Sequence, residues 1–196
     1  MSHFSLIEIE APSVEPISLV EAKAHLKVDV TADDDYITAL ITAARQRLEI
    51  DAGLAIITQT LEMGLDCFPM DGSPIKLKRP LLQSITSIIY VDSDGVDITW
   101  DSSEYRMDLA SKPARITPAY GYSYPVAIAV TGAVKIRYVA GYGDAGTDVP
   151  KDLIRAMLML IGHWYENRED VVIGTITSTV PKAYSWLKAS HQVTTC

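Results

Sequence analysis

The residues best suited to chemistry lie in a few short strings. Gly141-Tyr-Gly143-Asp-Ala-Gly146 is a literal G-x-G-x-x-G. In dinucleotide-binding folds that turn runs straight into a helix whose N-terminus meets the pyrophosphate. Here Thr147, Asp148 and Val149 stand between the turn and Pro150, and Asp144 brings negative charge to where phosphate would sit. The plainer reading is a strand-to-helix loop. Asp92-Ser-Asp94-Gly95-Val-Asp97 carries the alternating carboxylates of half a calcium loop. An EF-hand also needs flanking helices and a glutamate at the twelfth position, whereas these flanks alternate like strands, so a hairpin turn is expected. Asp33, Asp34 and Asp35 are consecutive and therefore point in different directions on a helix. Acid at a helix start is ordinary complementarity to the dipole.

Acid–base and nucleophilic chemistry find less support. There is no G-x-S-x-G elbow, and the four histidines (His3, His25, His163, His191) sit in terminal or helical settings without a partner motif. His163, Glu166 and Glu169 recur at three-residue intervals, a possible ligand face whose ordinary reading is a solvated helix end. A nucleophile, a base and an orienter must converge for covalent catalysis, and no such set is evident. The sequence predicts no catalytic residues, no cofactor and no metal. Cys67 and Cys196 do not make a disulfide framework. Cys67 is expected to be a buried thiol in a reducing compartment.

The most distinctive string is Gly162-His-Trp164-Tyr165-Glu-Asn-Arg168. Adjacent helical residues point roughly 100° apart, so Trp164 and Tyr165 can serve a core and a neighbour at once. Aromatic residues and arginine dominate contact hot spots, which makes Trp164, Tyr165 and Arg168 candidates for a subunit contact.

The elements that must position these residues follow from the hydrophobic period. Ser18-Leu-Val-Glu21 is a capping box, predicting a helix over about 18–27. Ile37, Leu40, Ile41, Ala44 and Leu48 recur at three- and four-residue steps, predicting a second helix over about 32–52 that Gly53 terminates. From Ile56 the period becomes two. Strands are expected at 58–68, 75–79, 83–91, 97–100, 105–109, 114–118 and 133–140, as an antiparallel meander filling about 57–140. Asp71-Gly72 and Asp94-Gly95 are its exposed hairpin tips. Pro150 opens a third helix over about 150–168, with Leu153, Ala156, Met157, Leu160, Ile161 and Trp164 on one stripe. Helices and strands are thus segregated, which indicates an α+β fold: a three-helix core with an inserted antiparallel sheet and extended arms at both ends. The expected organisation is an N-terminal arm (1–17), a central domain (18–170) and a C-terminal arm (171–196).

Composition narrows the function classes. The chain has 196 residues, 48% hydrophobic and 21% charged, which excludes disorder over most of its length. No apolar run approaches the roughly 20 residues of a membrane helix, and the first residues do not form a secretory signal. The net charge of −8 argues against a basic nucleic-acid surface. The acid is concentrated early: residues 1–56 hold ten Asp/Glu and four Lys/Arg, whereas residues 150–196 hold four and five.

Several of these strings, in this order, carry a resemblance. They are Ser18-Leu-Val-Glu-Ala-Lys-Ala-His-Leu-Lys-Val-Asp29, Asp33-Asp-Asp-Tyr-Ile-Thr-Ala-Leu-Ile-Thr-Ala-Ala-Arg45 and Leu77-Lys-Arg-Pro-Leu-Leu-Gln-Ser-Ile-Thr-Ser-Ile88. Further along come Pro118-Ala-Tyr-Gly-Tyr-Ser-Tyr-Pro125, Tyr138-Val-Ala-Gly-Tyr-Gly143 and Gly162-His-Trp-Tyr-Glu-Asn-Arg-Glu169. Together they make the chain resemble the head–tail connector, or adaptor, proteins of long-tailed bacteriophages and of phage-derived gene transfer agents. The resemblance spans about residues 18–170. It implies a structural virion protein of the neck, assembled in the host cytoplasm. Such proteins form a ring, typically a dodecamer, beneath the portal protein. The ring extends the DNA channel and docks the next neck or tail-terminator protein. No catalytic residues are implied, and no membrane. DNA would pass without specific binding, and an acidic wall would repel its phosphates. Asp33, Asp34 and Asp35 are candidates to face that channel.

After Asp170 the chain turns uncharged and β-prone over Val171–Val180. This is expected to be an assembly arm that docks on the portal. Tyr184 and Trp186 would be its aromatic anchors and Lys182 and Lys188 its positive charge, and its removal would leave a folded protein. Two readings from other classes stay open: a binding module outside any virion, and a small-molecule enzyme with its site in the Gly141–Gly146 loop against Glu166.

Overall fold

The computed structural model describes residues 4–168 and 182–191. They fall into two compact units, one of residues 4–13 and 58–141, the other of 14–57, 142–168 and 182–191.

The second unit is helical. Helix α1 (Leu19–Leu26) starts at the expected capping box. The Ser18 hydroxyl accepts from the Glu21 amide at 3.2 Å, and the Glu21 carboxylate accepts from the Ser18 amide at 2.9 Å. Helix α2 (Asp34–Ala52) buries Ile37, Leu40, Ile41, Ala44 and Leu48 on one stripe and ends at Gly53, whose φ of 69° is the left-handed conformation that glycine adopts without strain. Helix α3 (Lys151–Glu166) turns Leu153, Ala156, Met157, Leu160 and Ile161 into the same core. A fourth helix, α4 (Lys182–Ala189), completes it. The sequence predicts three core helices and places Tyr184 and Trp186 on a C-terminal arm. The structure adds a full element because Tyr184 fills the core at 2% exposure.

A charge network is buried with these helices. Arg45 and Glu49 are 4% and 1% exposed. Glu49 accepts from an Arg45 guanidinium nitrogen at 3.2 Å and from the Ile56 amide at 2.9 Å, and Arg45 donates to Glu15 at 2.9 Å. Buried charge is tolerable only when it is paired in this way. The network ties the segment around Glu15 to α2, so this part of the expected N-terminal arm is held by its own unit.

The first unit is all β. Strands β1 (Phe4–Glu10), β2 (Gln59–Leu65), β4 (Leu82–Val91), β5 (Asp97–Thr99) and β8 (Val134–Ala140) form a sheet in the order β1-β2-β8-β4-β5. A smaller sheet has the order β3-β7-β6, from Ile75–Lys76, Arg115–Pro118 and Tyr105–Asp108. All pairings are antiparallel. Alternation sets the buried face: Leu61, Met63 and Leu65 of β2 lie beside Val134, Ile136 and Tyr138 of β8. One-residue alternation cannot tolerate a slip in register.

Two expectations need correction. The strands are not a meander, because β8 enters between β2 and β4 and β3, β7 and β6 form a sheet of their own. β8 alternates over seven residues and is buried at every second one, so the centre of the sheet suits it better than an edge. The first residues are extended, as expected, but as an edge strand rather than a free arm: β1 pairs with β2 from Phe4 opposite Leu65 to Glu10 opposite Thr60.

Candidate interaction surfaces

The residues singled out at the end of α3 converge, but on their own subunit. Arg168 donates to Asp33 at 3.0 Å, and its guanidinium lies 4.7 Å from the ring centres of both Tyr36 and Tyr165. Tyr165 donates its hydroxyl to the same Asp33 oxygen at 2.5 Å. That hydrogen bond, then the Arg168 one, holds the Asp33 carboxyl below its usual range, while the same hydrogen bond, then desolvation, pushes the Tyr165 hydroxyl up. Trp164 is half-buried against the helical core. Trp164, Tyr165 and Arg168 are therefore engaged within their own subunit in joining α3 to the start of α2, while Arg168 keeps about half of its side chain exposed.

The acidic triplet is likewise divided. Asp33 is neutralised by Arg168, and Asp34 by Lys23 at 2.5 Å. Asp35 is exposed and is the remaining candidate of the three for a charged wall. In α4 the two aromatic anchors separate. Tyr184 is buried and donates to Asp51 at 2.9 Å, and burial first, then that carboxylate, raises its hydroxyl. Trp186, two residues on, is 80% exposed. Tyr184 is thus a core residue, and removing α4 would uncover the core it fills. Lys182 and Lys188 lie on the same helix. The Val171–Val180 segment lies outside the described residues, as do Glu169 and Cys196.

The glycine-rich loop has a packing explanation. A Cβ at Gly146 would collide with the backbone carbonyl of Pro16, and one at Gly143 with the Asp148 side chain. Asp148 in turn accepts from the Ala145 amide at 3.0 Å. The Asp92 turn behaves as hairpin chemistry requires: the Asp92 carboxylate accepts from the Asp94 and Val96 amides, both at 2.9 Å, and Gly95 has φ 80°. Asp71 accepts from the Ser73 amide at 3.0 Å, but its turn joins β2 to β3, which lie in different sheets, so Asp71-Gly72 is an exposed connecting loop rather than the expected hairpin tip. Among the described residues no group of three or more His, Cys, Asp or Glu is placed to hold a metal ion. Cys67 is half-buried rather than buried.

One constellation escaped the sequence reading. His191 meets the Tyr142 hydroxyl through Nδ1 at 3.1 Å and Asp152 through Nε2 at 2.6 Å. Burial works to raise the Asp152 carboxyl, but the His191 hydrogen bond and charge together with backbone amides outweigh it, and the group sits below its usual value. The arrangement ties the end of α4 to the first turn of α3. No local signal could reveal it, since 39 residues separate His191 from Asp152.

No protein-family model matches the chain, and no curated protein sequence does. Solved structures do. A chain of the virion of a native gene transfer agent (GTA) particle superposes with a TM-score of 0.80 at 22% identity, over 97% of this chain and 96% of that one. A chain from the neck of an empty GTA particle, computed with C6 symmetry, gives 0.78 at 23% identity, over 98% and 97%. A chain from the neck of a native GTA particle, computed with C12 symmetry, gives 0.73 at 24%, over 98% and 97%. The likeness covers the α+β fold from end to end.

Proposed function

We propose that this chain is a structural component of the neck of a phage-derived particle, a head–tail connector that assembles as a ring. The observation that carries the reading is the match of fold over nearly the whole of both chains to neck chains of a gene transfer agent. The C12 symmetry of one of those necks supports twelve copies. In this role the ring sits beneath the portal protein, continues the DNA channel and presents a docking surface to the next neck or tail-terminator protein. Its place of action is the virion. The role needs positioning and contact rather than catalysis.

Features of the chain fit the finer parts of the role. Trp186, exposed on a helix that also carries Lys182 and Lys188, is a suitable aromatic anchor for the portal. Asp35 suits a wall that repels phosphate. The exposed loops at Asp71-Gly72 and Asp94-Gly95 suit contacts to partners that vary, since rigid scaffolds commonly carry function on their loops.

The test is to image particles from producing cells that carry a tagged copy of the chain. Label at the neck, with ring-shaped density on the axis between head and tail, is expected. Label spread through the cell with untouched particles would overturn the assignment. Trp186→Ala should leave the purified chain folded and reduce its incorporation into necks.

A further inference from the structure

A surface groove of about 700 Å³ lies in the sheet unit, between the loop after β2 and the chain that follows β7. Its walls include Cys67, Phe68, Met70, Tyr122, Pro125 and Val126, and none of its lining residues is charged. Met70 is 95% exposed and Val126 84%, so large apolar side chains face solvent at its rim, a feature that marks contact sites. The Tyr122–Ala127 wall has no regular secondary structure. Among the described residues nothing accepts a hydrogen bond from the amides of Ser123, Tyr124, Val126 or Ala127. An incoming extended chain could pair with such a stretch while its side chains enter the groove.

The sequence contains a segment of matching chemistry. Val171-Val-Ile-Gly-Thr-Ile-Thr-Ser-Thr-Val180 is ten residues without a charge, rich in the β-branched types that favour strands. It lies between Arg168 and Lys182, both in the helical unit. The thirteen residues from 169 to 181 have an extended length of at most about 45 Å, so an excursion that leaves the helical unit and comes back to it reaches at most about 22 Å.

We propose that the groove receives the 171–180 segment of a second copy of this chain, so that neighbouring subunits are stitched together in one direction around the ring. The inference rests on the ring proposed above. It makes the contact heterologous, groove on one side and segment on the other, as ring closure requires.

Cys67 supplies the test. In a Cys196→Ser background, single substitutions Thr175→Cys, Ile176→Cys, Thr177→Cys and Ser178→Cys are introduced, and necks from producing cells are oxidised and run without reductant. A ladder of covalent multimers through Cys67 is expected, strongest at alternate positions because an extended chain has period two. Val126→Asp or Met70→Asp should abolish the ladder and cut ring yield at least tenfold, with the circular dichroism of the purified chain unchanged. Intact rings without a ladder, or disulfides confined to one chain, overturn this inference and leave the ring standing. A chain that never forms rings overturns both.

Discussion

Asp108 shows how a carboxylate at the surface can be strongly held. It accepts from the Ser111 hydroxyl at 2.6 Å, from the amides of Ala110 and Ser111 at 3.1 Å, and from Arg115 at 2.5 Å. The Ser111 hydroxyl, then Arg115, lowers the group to about 2. An acid depressed in the folded state contributes stability that is complete above its unfolded value and is lost as pH falls through the folded one. Asp108→Asn should therefore destabilise at neutral pH. The gap from wild type should stay constant down to about pH 5 and close between about pH 4 and pH 2. Urea midpoints across that range check the sign, and a gap that persists at pH 2 would assign the effect to something other than the charge.

At the scale of elements, the loop between β8 and α3 is set by close approach. Gly146 abuts the carbonyl of Pro16, a backbone group that cannot swing aside, whereas Gly143 abuts the Asp148 side chain. Gly146→Ala should cost about 3 kcal/mol, the upper end for overpacking. Gly143→Ala should cost about 1 kcal/mol, because Asp148 can turn away at the expense of one hydrogen bond to Ala145. Chemical denaturation of the two variants distinguishes them, and equal losses would show that the Pro16 contact relaxes. The same loop explains why a dinucleotide-like string can occur without a dinucleotide site. Its glycines are needed where neighbouring groups crowd the backbone.

For the whole molecule, the charge of −8 sets the relation to nucleic acid. Binding to duplex DNA is driven by cations that displace condensed counterions, and this chain has an excess of the opposite sign. A fluorescent duplex should show no anisotropy change with the protein at about 10 μM in about 50 mM salt, where cationic DNA-binding proteins bind non-specifically. Saturable binding under those conditions would contradict the proposed role in a channel that lets DNA slide.

The sequence by itself determined α1, α2 and α3, most of the strands and the α+β class, and it left α4 within an arm. Capping at Ser18, the stripes of α2 and α3, the turn at Asp92–Gly95 and the alternation in β2 and β8 are all written within a few residues, because period and turn chemistry act locally. Only the tertiary structure decided which strand lies beside which, that Phe4–Glu10 is a sheet edge, and that Tyr184 is core while Trp186 is exposed. It alone joined Asp33 to Arg168, 135 residues away, and His191 to Asp152. Such pairings are chosen by burial and by the satisfaction of polar groups across the assembled fold. Chains that differ widely in local sequence can make those choices alike, which is why the fold is shared where only 22–24% of residues are identical.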